Sequence, residues 1–92
     1  MKLNTKCVHE GTLRDPRQYG INTPIYRSSA YLYPNEEDIV KYPRYSDTPS
    51  QVAPARKIAA LEGGEEGHVF SSGMGAISST LLTFLGNGDH AA

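Results

Sequence analysis

The chain has no tryptophan and one cysteine, Cys7, so no internal disulfide can form and a reducing compartment is expected. Its longest apolar stretch, around Ile77 to Leu85, is short and broken by Ser and Thr, which excludes a bilayer-spanning helix there. The first residues, MKLNTKCVHEG, lack the apolar core of a secretory signal, so a cytoplasmic protein is expected. Neither sign of charge dominates: nine basic side chains stand against ten acidic ones, a formal net charge of -1. That excludes both a basic nucleic-acid footprint and an acidic solvating arm, so neither nucleic acid nor membrane is expected as a partner. His9, His68 and His90 lack metal-ligand spacing, and no metal site is expected.

What the chain does have is turns and tyrosine. Nine Gly, six Pro and six Tyr fall in 92 residues, with a hydrophobic share of 38%, enough for one small domain. The distribution is lopsided. Residues 1–50 carry Pro16, Pro24, Pro34, Pro43 and Pro49, spaced so that no long helix fits, with one short helical turn expected at Asn35 to Lys41. Yet Ile21, Ile25, Tyr26, Tyr31, Leu32, Tyr33, Ile39, Val40, Tyr42 and Tyr45 make this segment too sticky for a floppy tail. Residues 1–50 are therefore read as an extended arm that docks on a neighbouring subunit.

Residues 51–92 read as the start of an incomplete α/β domain. Val52 to Glu62 forms a helix, provided that Pro54 sits in its first turn, and Gly63-Gly64 stops it. His68, Val69 and Phe70 form a short buried-type strand. The next helix carries Met74, Ile77, Leu81, Leu82 and Leu85 on one face, Gly86-Asn87-Gly88-Asp89 breaks it, and His90-Ala91-Ala92 opens another strand. A helix–strand–helix–strand start with no further strands cannot close a sheet, so the domain is expected to be truncated, and aggregation-prone alone.

Two elements carry candidate chemistry. The Ser71-Ser72-Gly73-Met74-Gly75 turn lacks the Lys of a phosphate-binding P-loop, and Ser78 stands where a dinucleotide fingerprint needs its third glycine. What remains is a helix N-terminus, with Ser72 as cap and the Gly73 and Met74 N–H groups aimed at an anion. Upstream, Tyr42 and Arg44 are two residues apart, so an extended strand would point both to one side. There a guanidinium fork and a phenol match phosphate oxygens. Cys7 is an ordinary thiol, His68 a strand residue, and Glu36-Glu37-Asp38 and Glu65-Glu66 are solvated charge clusters.

Taken in order, several motifs carry a resemblance. They are Thr23-Pro24-Ile25-Tyr26-Arg27-Ser28-Ser29, Tyr42-Pro43-Arg44, Ala59-Ala60-Leu61-Glu62-Gly63-Gly64, Ser71-Ser72-Gly73-Met74 and Gly88-Asp89-His90. From about Val8 to His90 the chain resembles the Cys/Met-metabolism family of pyridoxal-phosphate enzymes, which includes cystathionine γ-synthase, cystathionine γ-lyase, methionine γ-lyase and the O-acylhomoserine sulfhydrylases. The resemblance implies the α/β large domain of the type I, aspartate-aminotransferase-like fold, preceded by its N-terminal arm. It implies pyridoxal 5′-phosphate as cofactor and a sulfur-containing amino acid as substrate. It also implies a homo-oligomer, a homotetramer, that exchanges arms.

By the same resemblance, Tyr42 and Arg44 reach the cofactor phosphate of a neighbouring subunit, while Gly73 and Met74 give backbone N–H bonds to the chain's own cofactor. The chain departs from the family pattern at Asp47-Thr48-Pro49, where Asn-Pro-Thr is common, and at Pro54, where an acidic residue is common. The implied reaction is proton abstraction at the substrate α-carbon, then elimination or replacement of a γ or β substituent. The family's Schiff-base lysine has no counterpart among Lys2, Lys6, Lys41 and Lys57, so the chain is expected to be inactive alone. Two other readings stand beside this one: a non-catalytic piece that packs on a full-length partner, and an unrelated α/β phosphate-binding module.

Overall fold

The computed structural model describes residues 1–32 and 41–92. The expected turn of helix at Asn35 to Lys41 falls almost wholly outside the described residues, as do Tyr33, Pro34, Ile39, Val40 and the Glu36-Glu37-Asp38 cluster. Among the described residues there are three α-helices: α1 (Leu3–His9), α2 (Pro49–Glu62) and α3 (Gly73–Phe84), with a 3₁₀ turn at Pro43–Tyr45.

Helix α2 is the centre of the packing. It begins at Pro49, three residues before the expected Val52, because two start signals coincide. Pro49 occupies the first helical position, where its fixed φ helps and its missing N–H is no loss. Thr48 and Gln51 form a capping-box pair: the Gln51 Oε1 accepts from the Thr48 N–H (3.4 Å) and from its hydroxyl (2.6 Å). The Gln51 and Val52 N–H groups both donate to the Thr48 carbonyl, at 2.9 and 3.0 Å. This early start corrects the reading of Pro54, which lies inside the helix rather than in its first turn. There it removes one backbone hydrogen bond, a cost of roughly 3 kcal/mol in an isolated helix. The helix stops where expected, at Gly63 with φ 71°, and the Gly64 N–H closes onto the Ala59 carbonyl at 2.8 Å.

The residues this helix buries are small. Ala53, Ala55 and Ala59 are its buried apolar side chains, with Thr48 as buried polar partner at its start. Small residues let backbone approach. A Cβ on Gly67 would stand 2.6 Å from the Ala55 carbonyl oxygen, so only glycine lets the segment after α2 lie this close. On another side, a Cβ on Gly11 would meet the Lys57 backbone nitrogen at 2.5 Å, and Gly11 is also at φ +69°.

Helix α1 is a helix that the reading of residues 1–50 as an extended arm, with one helical turn at Asn35 to Lys41, does not include. Seven residues cannot hold a helix on their own. It is fastened from outside: the Lys57 ammonium donates to the Cys7 and Val8 carbonyls at 3.0 and 3.4 Å, and Lys6 donates to the Ala60 carbonyl at 3.2 Å. Each helix thus has orphan carbonyls of its last turns satisfied by a lysine of the other. No local periodicity announces bonds between residues about fifty positions apart.

The expected strands at His68–Phe70 and His90–Ala92 are not formed; no β-strand occurs among the described residues. A strand is defined by the ladder it makes, and neither segment has a partner here. The chain exposes 8138 Å², against ~5,200 Å² for a compact monomer of its mass. Among the described residues, no large side chain is fully buried.

Candidate functional site

The sequence places two half-sites on two different elements, and the structure builds each by local means. The first is the turn before α2. Tyr42 and Arg44 do not share one face of a strand, as expected, because Pro43–Tyr45 curls into a 3₁₀ turn. Tyr42 itself is extended, at φ -144° and ψ 128°. The turn is closed by the Tyr45 N–H on the Tyr42 carbonyl (2.9 Å) and the Ser46 N–H on the Pro43 carbonyl (3.2 Å). Ser46 follows in the left-handed region at φ 56°, unusual for a residue with a Cβ. The Asp47 carboxylate then turns back to accept the Tyr42 N–H at 2.9 Å. Both Tyr42 and Arg44 remain exposed, and the Tyr42 ring stands edge-on to Tyr45, with centroids 5.3 Å apart.

The second half-site is the start of α3. Ser72 is the cap, as expected: its hydroxyl oxygen accepts from the Gly75 N–H at 3.0 Å, and its carbonyl accepts from the Ala76 N–H at 3.2 Å. Among the described residues, the Gly73 and Met74 N–H groups have no acceptor. A Cβ built on Gly73 meets nothing within 4 Å, so a side chain there would stand in open space. Two free N–H groups at the positive end of a twelve-residue helix suit an anion of the size of phosphate. A guanidinium, a phenol and two backbone N–H groups are donors of the kinds that phosphate oxygens accept, and no hydrogen bond joins the two half-sites among the described residues.

The other candidates take structural places. Lys6 and Lys57 fasten α1 to α2, and Lys41 donates to the Asp47 carbonyl at 3.0 Å. Cys7 is a free, exposed thiol on α1. His68 lines an open cleft of about 500 Å³ along α2 with Arg56, Glu65 and Glu66, and none of the four half-site residues borders it. Among the described residues, no group of three His, Cys, Asp or Glu could hold a metal ion, and no helix is long and apolar enough to cross a membrane. The residues that sequence reasoning missed are Asp47 and Gln51. The Thr48-x-x-Gln51 spacing of a capping box was the signal for Gln51.

Comparison with known proteins gives these half-sites a setting. The sequence pattern of the family described as "Cys/Met metabolism PLP-dependent enzyme" matches residues 4–92. The chain is 42% identical over 99 aligned residues to the L-methionine gamma-lyase of Fusobacterium nucleatum subsp. nucleatum, covering 96% of this chain and 24% of that enzyme. It is 37% identical over 92 residues to the cystathionine gamma-lyase of Bacillus subtilis, covering 98% and 24%. With the O-acetyl-L-homoserine sulfhydrylase of Corynebacterium glutamicum it shares 34% over 97 residues, covering 96% and 22%. The chain belongs to the Cys/Met-metabolism family of pyridoxal-phosphate-dependent enzymes, as its motifs lead one to expect. It spans about a quarter of the length of these relatives.

Proposed function

We propose that this chain supplies cofactor-phosphate contacts, as the N-terminal part of a pyridoxal-phosphate-dependent lyase or transferase of sulfur amino-acid metabolism. The observation that carries the reading is that the Gly73 and Met74 N–H groups, at the Ser72-capped start of α3, have no acceptor among the described residues. Gly73 and Met74 hold the phosphate of the chain's own cofactor. Tyr42 and Arg44, exposed on their turn, reach the phosphate of a neighbouring subunit, with Arg44 supplying charge and Tyr42 a hydroxyl donor. Bound pyridoxal phosphate supplies an electron sink for the substrate α-carbon. This chain's residues anchor and orient that group.

Residues 1–50 then form the arm that crosses between subunits of a cytoplasmic homo-oligomer, and residues 51–92 begin the cofactor domain. In the assembled type I fold, His68–Phe70 joins a sheet and gives the α/β architecture. Three relatives named for different reactions, two lyases and one sulfhydrylase, resemble this stretch alike, so γ-elimination and γ-replacement on methionine, cystathionine or O-acylhomoserine share the proposal. A second reading draws on the excess exposed surface: the chain is catalytically silent and packs against a full-length partner.

The test uses the polypeptide as its own cell produces it. The proposal expects it to bind pyridoxal phosphate and to release a 2-keto acid from methionine or cystathionine, or to replace the acyl group of O-acylhomoserine. Arg44→Ala is expected to weaken cofactor affinity by roughly tenfold, the scale of one charged hydrogen bond. Cofactor binding with no turnover favours the packing fragment, and no cofactor binding at all removes the proposal.

A further inference from the structure

We infer that Asp47, seconded by Gln51, is a positioning residue that fixes the Tyr42–Arg44 turn before any phosphate arrives. The inference rests on the phosphate reading of that turn and deepens it. The backbone of the turn is tied on both sides of Arg44, through the N–H groups of Tyr42, Tyr45 and Ser46 and the carbonyls of Tyr42, Pro43 and Asp47. Asp47 accepts the Tyr42 N–H through Oδ1 at 2.9 Å, closing a six-residue loop on itself. The same residue's carbonyl takes the Lys41 ammonium at 3.0 Å, so Asp47 holds both residues at the entry of the loop.

Gln51 ties the loop to the helix. Its Nε2 donates to the Pro43 carbonyl at 2.8 Å, while its Oε1 faces the Thr48 N–H and hydroxyl. One side of the amide meets an acceptor and the other meets donors, so the hydrogen-bond pattern allows one orientation. The Pro43 carbonyl thus receives two bonds, from the Ser46 N–H and from Gln51. Thr48, at the junction, is 6% exposed. Ser46 occupies its left-handed backbone because these surrounding bonds hold it there.

None of these bonds uses the Tyr42 or Arg44 side chain, and both residues stay exposed. Helix α2 follows the turn directly and holds its far end; the near end, at Lys41 and Tyr42, is held by the two Asp47 bonds. What bracing changes is the ordering cost of a ligand: with the backbone set, only the two side chains remain to be ordered on binding. Asp47 does this with one acceptor oxygen, so an asparagine can replace it and an alanine cannot.

The experiment measures dissociation constants of the native full chain for pyridoxal 5′-phosphate and, separately, for pyridoxal. Asp47→Ala is expected to weaken pyridoxal phosphate by about tenfold while leaving pyridoxal within about twofold, because only the phosphate contacts lose their preorganisation. Asp47→Asn keeps the acceptor and is expected to bind like the native chain. Gln51→Glu keeps the acceptor towards Thr48 but loses the donor to Pro43; about a threefold selective loss is expected from this single bond. It reads the same brace should Asp47→Ala fail to fold. In the ligand-free protein, the Tyr42 amide should exchange with solvent faster in Asp47→Ala than in Asp47→Asn.

An unchanged preference for the phosphorylated form in Asp47→Ala and Gln51→Glu, or equal losses in the Ala and Asn variants, overturns the inference. So does a parallel loss of both ligands, which marks a merely structural role. Arg44→Ala separates this failure from that of the phosphate reading. If Arg44→Ala leaves the preference undiminished, the phosphate reading of the turn falls. If it lowers the preference about tenfold while Asp47→Ala does not, positioning alone falls.

Discussion

The turn before α2 and helix α3 are both well-formed local structures, yet they finish in opposite states. In the turn, bonds from Asp47 and Gln51 close the backbone within a span of ten residues. In α3, the cap is sound and the backbone regular, but the apolar face is bare: Met74 is 69% exposed, Ile77 54% and Leu82 82%. The difference lies in where the partners sit in the chain. The turn finds them nearby; the helix has none in the described residues.

The hydroxyls of α3 point the same way. Ser78, Thr80 and Thr83 donate to the carbonyls of Met74, Ala76 and Ser79 at 2.7, 2.8 and 2.6 Å. Those three hydroxyls, satisfied by the helix's own backbone, can enter an apolar setting without stranding a polar group. Helix α3 is therefore chemically ready for burial that the turn does not need.

The largest effect should come from breaking that readiness. Leu81→Asp is expected to destabilise the native protein by about 3 kcal/mol or more, the cost of burying an unpaired charge. In the isolated 92-residue chain, where Leu81 is already 47% exposed, it should change stability little. Denaturant titration of both forms checks the contrast, and equal effects would remove it. Gly67→Val should follow, at about 2 kcal/mol, since its Cβ must push the Ala55 carbonyl away from 2.6 Å. A thermal melt reads this, with Gly64→Ala, whose Cβ has ordinary room, as the comparison.

The same contrast explains what could be read from the sequence. The Ser72 cap, the Gly63 stop and the extent of α3 follow from residues within a few positions of each other, and all were legible. The start of α2 was misplaced by three residues because Thr48, Pro49 and Gln51 act jointly while Pro54 is conspicuous. Helix α1 was missed because Lys57 and Lys6, the residues that fasten it, act across fifty positions. The strand at His68–Phe70 was expected from its apolar character, but a ladder depends on a second strand. At the half-sites, the residue types were legible and the shape of the turn was not: a Pro-Arg-Tyr 3₁₀ curl depends on Asp47 and on a left-handed Ser46.

The central claim is that the start of α3 and the Tyr42–Arg44 turn serve a phosphate, and Gly73→Pro tests it most directly. Gly73 is the first residue of α3, where proline suits the helix, and the extended backbone of Ser72 before it is compatible with a following proline. The substitution removes one of the two free N–H donors and leaves the helix standing. The measurement is the affinity of the native polypeptide for pyridoxal 5′-phosphate, with pyridoxal as control. The account predicts a loss of about tenfold for the phosphorylated form alone, the worth of one hydrogen bond to a charged group, with an unchanged melting temperature. Undiminished affinity for pyridoxal phosphate in Gly73→Pro would contradict it.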